Sequence, residues 1–174
     1  MLGRCPVIPY FVNMTTSCFG FRPQCFRFAV FWLSLLGAIT AVAAPLKVLT
    51  VGNSFADNSI RFLDELAESQ GVEMHIARAN LGGSDMERHA RHLQAFAHDP
   101  EHPEGRPYAV PGDGTPSHRS LAEALASERW DYVTIQQVSR RSFDPASYEP
   151  FAASLIETIR QQAPQAEILV HQTW

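Results

Sequence analysis

A serine follows a short apolar run at the point where the chain must turn. Residues 46–51 have the length and β-branched content of a buried strand, and Gly52 and Asn53 then favour a turn. A helical pattern begins at Phe55, so Ser54 lies between the carboxyl end of a strand and the amino end of a helix. Open α/β sheets bind ligands at such strand ends, and helix amides there stabilise developing negative charge. Ser54 is therefore a candidate nucleophile, and a purely capping role for its hydroxyl is the alternative.

Four histidines form a second group of residues that could do chemistry. His89 and His92 are three residues apart and share one face of a predicted helix, and His98 and His102 follow them. Zinc ligands can have such spacing, and a metal-dependent hydrolase is one hypothesis for this chain. The spacing matches no closed metal motif, however, and histidines also serve on solvated helix faces. We therefore expect neither a metal nor another cofactor.

The elements that must position these residues alternate along the chain. Strands are predicted over residues 46–51, 72–79, 130–136 and 166–170. Helices are predicted over residues 55–70, 85–97, 121–127 and 145–162. Residues 80–84 form a glycine-rich turn, and residues 99–118, which hold five prolines and three glycines, are predicted to be a surface excursion. This alternation predicts an α/β fold: a mostly parallel sheet between two layers of helices.

The first 43 residues have the pattern of a secretory signal peptide. Basic residues precede an uncharged apolar stretch at 28–40, and Ala-Val-Ala at 41–43 supplies the small residues of a cleavage site. Translation could start at Met1 or at Met14, and an uncleaved anchor is the alternative. We expect a secreted or periplasmic protein without a stable membrane span. All three cysteines precede the apolar stretch, and the net charge of −4 argues against a nucleic-acid partner.

Three ordered segments together resemble the SGNH/GDSL hydrolase superfamily. They are Val-Gly-Asn-Ser-Phe at 51–55, Asn-Leu-Gly-Gly-Ser at 80–84 and Trp-Asp-Tyr-Val-Thr-Ile-Gln-Gln at 130–137. The family usually has Gly-Asp-Ser in its first block, whereas Asn53 precedes the serine here, which resembles a bacterial Gly-Asn-Ser subgroup. The resemblance implies a flavodoxin-like three-layer α/β/α sandwich over residues 44–174 and serine esterase chemistry.

The same resemblance implies roles for particular residues. Ser54 would attack an ester carbonyl, and the oxyanion would be held by its own amide, by the amide of Gly83 or Gly82, and by a side chain. The family's third block supplies an asparagine for that last donor, whereas this chain has Gln136 and Gln137.

Asn53, His89 and His171 are further candidates for contact with the substrate or the pocket. His89 lies six residues beyond Gly83, and His171 follows the last predicted strand. The family's catalytic histidine lies in a late Asp-x-x-His block, and no such block occurs near the end of this sequence, so we expect the domain to be truncated before it.

The leading hypothesis is an exported hydrolase of small esters, such as acetyl groups on a carbohydrate, and the runner-up is a catalytically inactive domain that binds a carbohydrate or another small ligand.

Overall fold

A computed structural model describes residues 44–110 and 117–173, in which four parallel strands form the central sheet. In chain order they are β1 (Leu46–Gly52), β2 (Met74–Asn80), β5 (Tyr132–Gln136) and β6 (Glu167–His171). Their spatial order is β2-β1-β5-β6, so β1 is central and β2 and β6 are edges. All pairs are parallel, and the carboxyl ends of the strands therefore meet at one edge of the sheet.

Five helices connect or follow the strands within the described residues. They are α1 (Ser54–Ser59), α2 (Leu63–Ser69), α3 (Met86–His98), α4 (Leu121–Ala126) and α5 (Phe151–Gln162). Single 3₁₀ turns cover Pro103–Gly105, Ser139–Arg141 and Pro145–Ser147. A separate antiparallel pair consists of β3 (Tyr108–Val110) and β4 (Ser117–Arg119).

The sheet separates two layers of helices. On one face, alternate residues such as Leu49 and Val133 are fully buried in a core shared with Leu121 of α4 and Leu155 of α5. On the other face, Thr50 and its neighbours line a cavity together with residues from α1 and α2. The fold is thus the predicted three-layer α/β fold with a mostly parallel sheet.

Three element predictions needed correction. The helix expected over 55–70 is two short helices, because residues 60–62 form turns in which the Arg61 and Leu63 N–H groups bond the carbonyls three residues earlier, those of Asn58 and Ile60. The helix expected over 145–162 begins only at Phe151, because Pro150 cannot lie in a helix interior. The second strand begins at Met74 instead of residue 72.

The segment 99–118 is not only a surface excursion. Tyr108 is only 1% exposed and belongs to the hydrophobic core. Gly105 lies so close to α3 that an added Cβ would meet the Phe96 backbone at 2.7 Å. This proline-rich stretch therefore packs closely against α3 and contributes an aromatic side chain to the interior.

The expected signal peptide at 1–43 lies outside the described residues. Within 44–110 and 117–173, no helix has both the length and the apolar character needed to cross a bilayer.

Candidate active site

Ser54 is the first residue of α1 and its side chain is exposed to solvent. The residue that caps the helix is Asn53, whose Oδ1 accepts a hydrogen bond of 3.0 Å from the Phe55 N–H. Ser54 makes no side-chain hydrogen bond with any residue in the described part of the chain. The purely capping alternative for Ser54 is therefore wrong, and its hydroxyl has no structural partner in these segments.

Asn53 connects the end of β1 to the glycine turn and to the end of β5. Its Nδ2 donates to the Ser84 carbonyl at 2.8 Å, and its backbone N–H donates to Gln136 Oε1 at 3.0 Å. The side chain is 1% exposed, so it supports the site from within and does not face a ligand. An aspartate could cap the helix but could not donate to the Ser84 carbonyl, which gives a physical reason for asparagine at position 53.

The glycine turn is fixed against the end of β1. The Leu81 N–H donates to the Gly52 carbonyl at 2.9 Å, and the Ser84 N–H closes the turn onto the Leu81 carbonyl at 3.0 Å. Gly83 has a φ of +65°, the left-handed conformation that the third position of a type II turn requires. Gly82 and Gly83 are exposed, and their backbone N–H groups have no acceptor among the described residues. These amides are therefore available to a ligand next to Ser54.

Gln136 is buried at the end of β5, where its carboxamide is oriented by its neighbours. Because its Oε1 accepts from the Asn53 N–H, its Nε2 faces His171 Nδ1 at 3.1 Å. Gly52 leaves the necessary space, since a Cβ there would meet Gln136 Oε1 at 2.7 Å. One Nε2 hydrogen of Gln136 points to His171, which leaves one other as a donor.

Gln137 is fully engaged in structural contacts. Its Nε2 donates to the carbonyl and hydroxyl oxygens of Ser147 at 2.8 and 3.2 Å. Its Oε1 accepts from the N–H groups of Met86 and Val138. Both amide hydrogens are used, so in this structure Gln137 has none left for an oxyanion, and it ties β5 to the start of α3.

The comparisons with known proteins point to one family. The model of a domain of unknown function, DUF4886, matches residues 47–174. The chain belongs to the DUF4886 family. A crystal structure of a DUF4886 family protein from Bacteroides uniformis is similar, with 32% identity and a TM-score of 0.62. The match covers 75% of this chain and 51% of that one, so the chain spans about half the length of its relative. No curated protein matches the chain.

His89 of this DUF4886 domain is a buried positioning residue. Its Nε2 lies 3.1 Å from the Gly52 carbonyl, and its Nδ1 lies 2.7 Å from the Tyr108 hydroxyl. A carbonyl only accepts, so Nε2 carries the proton and Nδ1 accepts from Tyr108. Burial lowers the pKa of His89 to about 4, with a smaller opposing effect of the Gly52 hydrogen bond. Burial also raises the pKa of Tyr108. His89 is therefore neutral and does not contact a ligand.

The other histidines of the DUF4886 domain do not gather at one point. His92 Nδ1 bonds the Glu104 carbonyl at 2.6 Å, and His102 accepts from the Glu104 N–H at the start of a 3₁₀ turn. The described residues contain no group of three or more potential metal ligands. His171 is half-buried at the end of β6, and its Nδ1 accepts from Gln136. None of these histidines bonds Ser54 within the described segments.

Asp85 was missed by the sequence reasoning. It caps α3 directly after the glycine turn, and its carboxylate bonds the Arg88 N–H and Arg141 Nη1 at 2.9 Å. Burial acts to raise the pKa of Asp85, but the Arg88 hydrogen bond and the Arg141 guanidinium outweigh it, so the pKa is lowered. An acidic residue just before a helical pattern is a recognised cap signal, and it could have identified Asp85 as the residue that anchors the turn.

Proposed function

We propose that this protein is a serine hydrolase of small esters, with Ser54 as the nucleophile. The observation that carries the proposal is that, at the end of β1, Asn53 makes the structural hydrogen bonds and Ser54 makes none with its side chain among the described residues. Asn53 caps the helix and bonds Ser84 and Gln136, which leaves the Ser54 hydroxyl exposed and unpaired among the described residues. A serine with no structural role at a strand-to-helix junction is suited to attack a carbonyl.

The backbone around Ser54 supports an oxyanion site. The Ser54 N–H lies in the first turn of α1, where helix amides have no intrahelical acceptor. The amides of Gly82 and Gly83 are also unpaired among the described residues, and Gly83 remains our first choice for the second donor. One donor aimed at a developing oxyanion is worth roughly 2.7–4 kcal/mol of barrier. Gln136 keeps one Nε2 hydrogen that no described residue accepts, but it is 1% exposed, as Asn53 is, so we assign it to positioning the site and not to the oxyanion.

Proton removal from Ser54 is the step that the described residues do not supply. His89 is buried with both nitrogens engaged, and Gln136 holds His171 with its proton on Nε2. The proposal therefore includes a base from outside the described residues, as the resemblance to SGNH/GDSL hydrolases implies. Export through residues 1–43 and carbohydrate O-acetyl groups as substrates are part of the same proposal.

One observation favours a second candidate, a ligand-binding domain without turnover. No described histidine contacts Ser54, and a general base typically contributes about 10²–10⁴-fold to such a reaction. Residues 44–174 alone should therefore turn over esters slowly while they still bind a ligand at the glycine turn.

The experiment compares hydrolysis of p-nitrophenyl acetate by the protein from its native host and by its Ser54→Ala variant. We expect the variant to lose several orders of magnitude in kcat/KM and to keep its fold. Ser59→Ala is the matched control, because Ser59 lies on the same helix with its hydroxyl bonded to the Ala56 carbonyl. A Ser54→Ala protein that retained most of its activity would refute the nucleophile, and an inactive parent protein would favour the binding domain.

A further inference from the structure

A cavity of about 590 Å³ runs along the outer edge of β2. This strand is an edge of the main sheet, so one side of its backbone borders the cavity. The residues that matter for recognition come from four separate parts of the chain. They are Asp57, Arg78, Asn80, Arg119 and Ser127.

One end of the cavity lies against the elements that form the Ser54 site. Asp57 is three residues beyond Ser54 on α1, and Asn80 immediately precedes the glycine turn. The two are linked, since Asn80 Nδ2 donates to Asp57 Oδ1 at 2.8 Å. A molecule in this cavity would therefore extend toward the reacting group, as the alcohol portion of an ester substrate must.

Two guanidinium groups that line the cavity have no counterion among the described residues. Arg78 is exposed and its side chain forms no ion pair or hydrogen bond with the described residues, and the side chain of Arg119 bonds only the Ser127 hydroxyl among them, at 3.5 Å. The carboxylates that line the cavity are already engaged. Asp57 accepts from Asn80, and Glu128 is paired with Lys47 Nζ at 2.6 Å and His75 Nε2 at 2.9 Å.

The wall of the cavity also holds unsatisfied polar atoms. Arg119 Nε and Asn80 Oδ1 are buried, and neither has a hydrogen-bond partner within residues 44–110 and 117–173. Such atoms are uncommon in folded proteins, and each calls for a partner that the chain does not provide. Arg119 Nε is a donor within the guanidinium cation and suits an anion, whereas Asn80 Oδ1 is an acceptor and suits a hydroxyl group.

We propose that this cavity binds an acidic sugar, with its carboxylate between Arg78 and Arg119 and its hydroxyls on Asn80 and Asp57. Planar guanidinium groups match a carboxylate in shape and charge. The Asn80 amide and the Asp57 carboxylate suit the hydroxyl groups of a sugar. The inference deepens the proposed function, on which it rests, because it names the alcohol portion of the ester. A neutral sugar would leave both arginines without a counterion.

Binding is tested by calorimetric titration of the Ser54→Ala protein, in which no turnover can occur. The probes are D-galacturonic acid and D-galactose, which differ by a single carboxylate. We expect galacturonate to bind and galactose to bind at least about tenfold more weakly, a difference of about 1.4 kcal/mol. Arg78→Gln and Arg119→Gln should each weaken galacturonate binding about tenfold, and added salt should weaken it as well.

Arg160→Gln is the matched control, because Arg160 is exposed on α5 and does not line this cavity. The inference would be overturned if the two sugars bound with equal affinity or if neither bound. It would also be overturned if Arg160→Gln weakened galacturonate binding as much as Arg78→Gln does. Because Arg78 is exposed, its variant is a fair test even if Arg119→Gln fails to fold. Ser54-dependent hydrolysis of p-nitrophenyl acetate without galacturonate binding would reject the acidic sugar and leave the esterase proposal standing.

Discussion

Protonation of His89 should destabilise the folded protein over a defined range of pH. The ring is buried between the Gly52 carbonyl and the Tyr108 hydroxyl, and burial lowers its pKa from 6.5 to about 4. The unfolded chain therefore binds a proton more readily than the folded chain between these values. The stability that the neutral ring contributes is complete above pH 6.5 and is lost as the pH falls toward 4.

The size of the effect follows from the two pKa values of His89. Each unit of difference corresponds to about 1.4 kcal/mol, so His89 alone should contribute about 3 kcal/mol to the change in unfolding free energy. Burial also lowers the pKa of His92, and this histidine adds to the slope in the same direction. The contribution of His89 must therefore be measured as a difference between two proteins.

The assay is urea unfolding, followed by fluorescence, of the parent and of His89→Gln at several values between pH 7 and pH 4. Glutamine can still donate to the Gly52 carbonyl and accept from Tyr108, but it does not titrate. We expect the parent to lose about 3 kcal/mol more than the variant across this range. Parallel stability curves for the two proteins would refute the buried, neutral state assigned to His89.

Three further outcomes are expected. Asn53→Asp should lower the free energy of unfolding by about 1–3 kcal/mol, because the Ser84 carbonyl loses its buried donor while the helix cap remains. Urea unfolding measures this change, and an unchanged midpoint would contradict it. Gly52→Ala should reduce ester hydrolysis and stability together, because its Cβ would meet Gln136 Oε1 at 2.7 Å, and unaltered kinetics and melting temperature would contradict the packing. Amino-terminal sequencing of the protein from its native envelope should find a start near Ala44, and an intact start at Met1 or Met14 would reject the signal peptide.

Local sequence signals were sufficient to place the nucleophile candidate. An apolar run followed by Gly52 and Asn53 specifies a strand and a turn without help from distant residues, and β1 lies and α1 begins close to where the pattern puts them. The alternation of patterns likewise predicted the parallel sheet. These features depend on side-chain periodicity over a few residues, which is visible in one sequence.

Long-range contacts explain what the sequence did not show. Asn53 bonds residues 31 and 83 positions away, and no local pattern distinguishes a buried asparagine of this kind from one that faces a ligand. Tyr108 lies in a proline-rich segment that the sequence predicted to be on the surface, but its hydroxyl bonds His89 in the interior. Gln136 or Gln137 was expected to donate to the oxyanion, but strand-end amides also satisfy buried backbone groups, as Gln137 does for Met86 and Val138.

Because Asn53 caps α1, the fold does not depend on the hydroxyl group of Ser54. A chain that lost Ser54 would keep the hydrogen bonds that join β1, the glycine turn and β5. Under the proposed function, selection on position 54 is then selection on the reaction, while selection on position 53 is selection on the fold. In a lineage where the reaction is no longer needed, residue 54 should drift first, and Asn53 should persist in descendants that have become binding proteins.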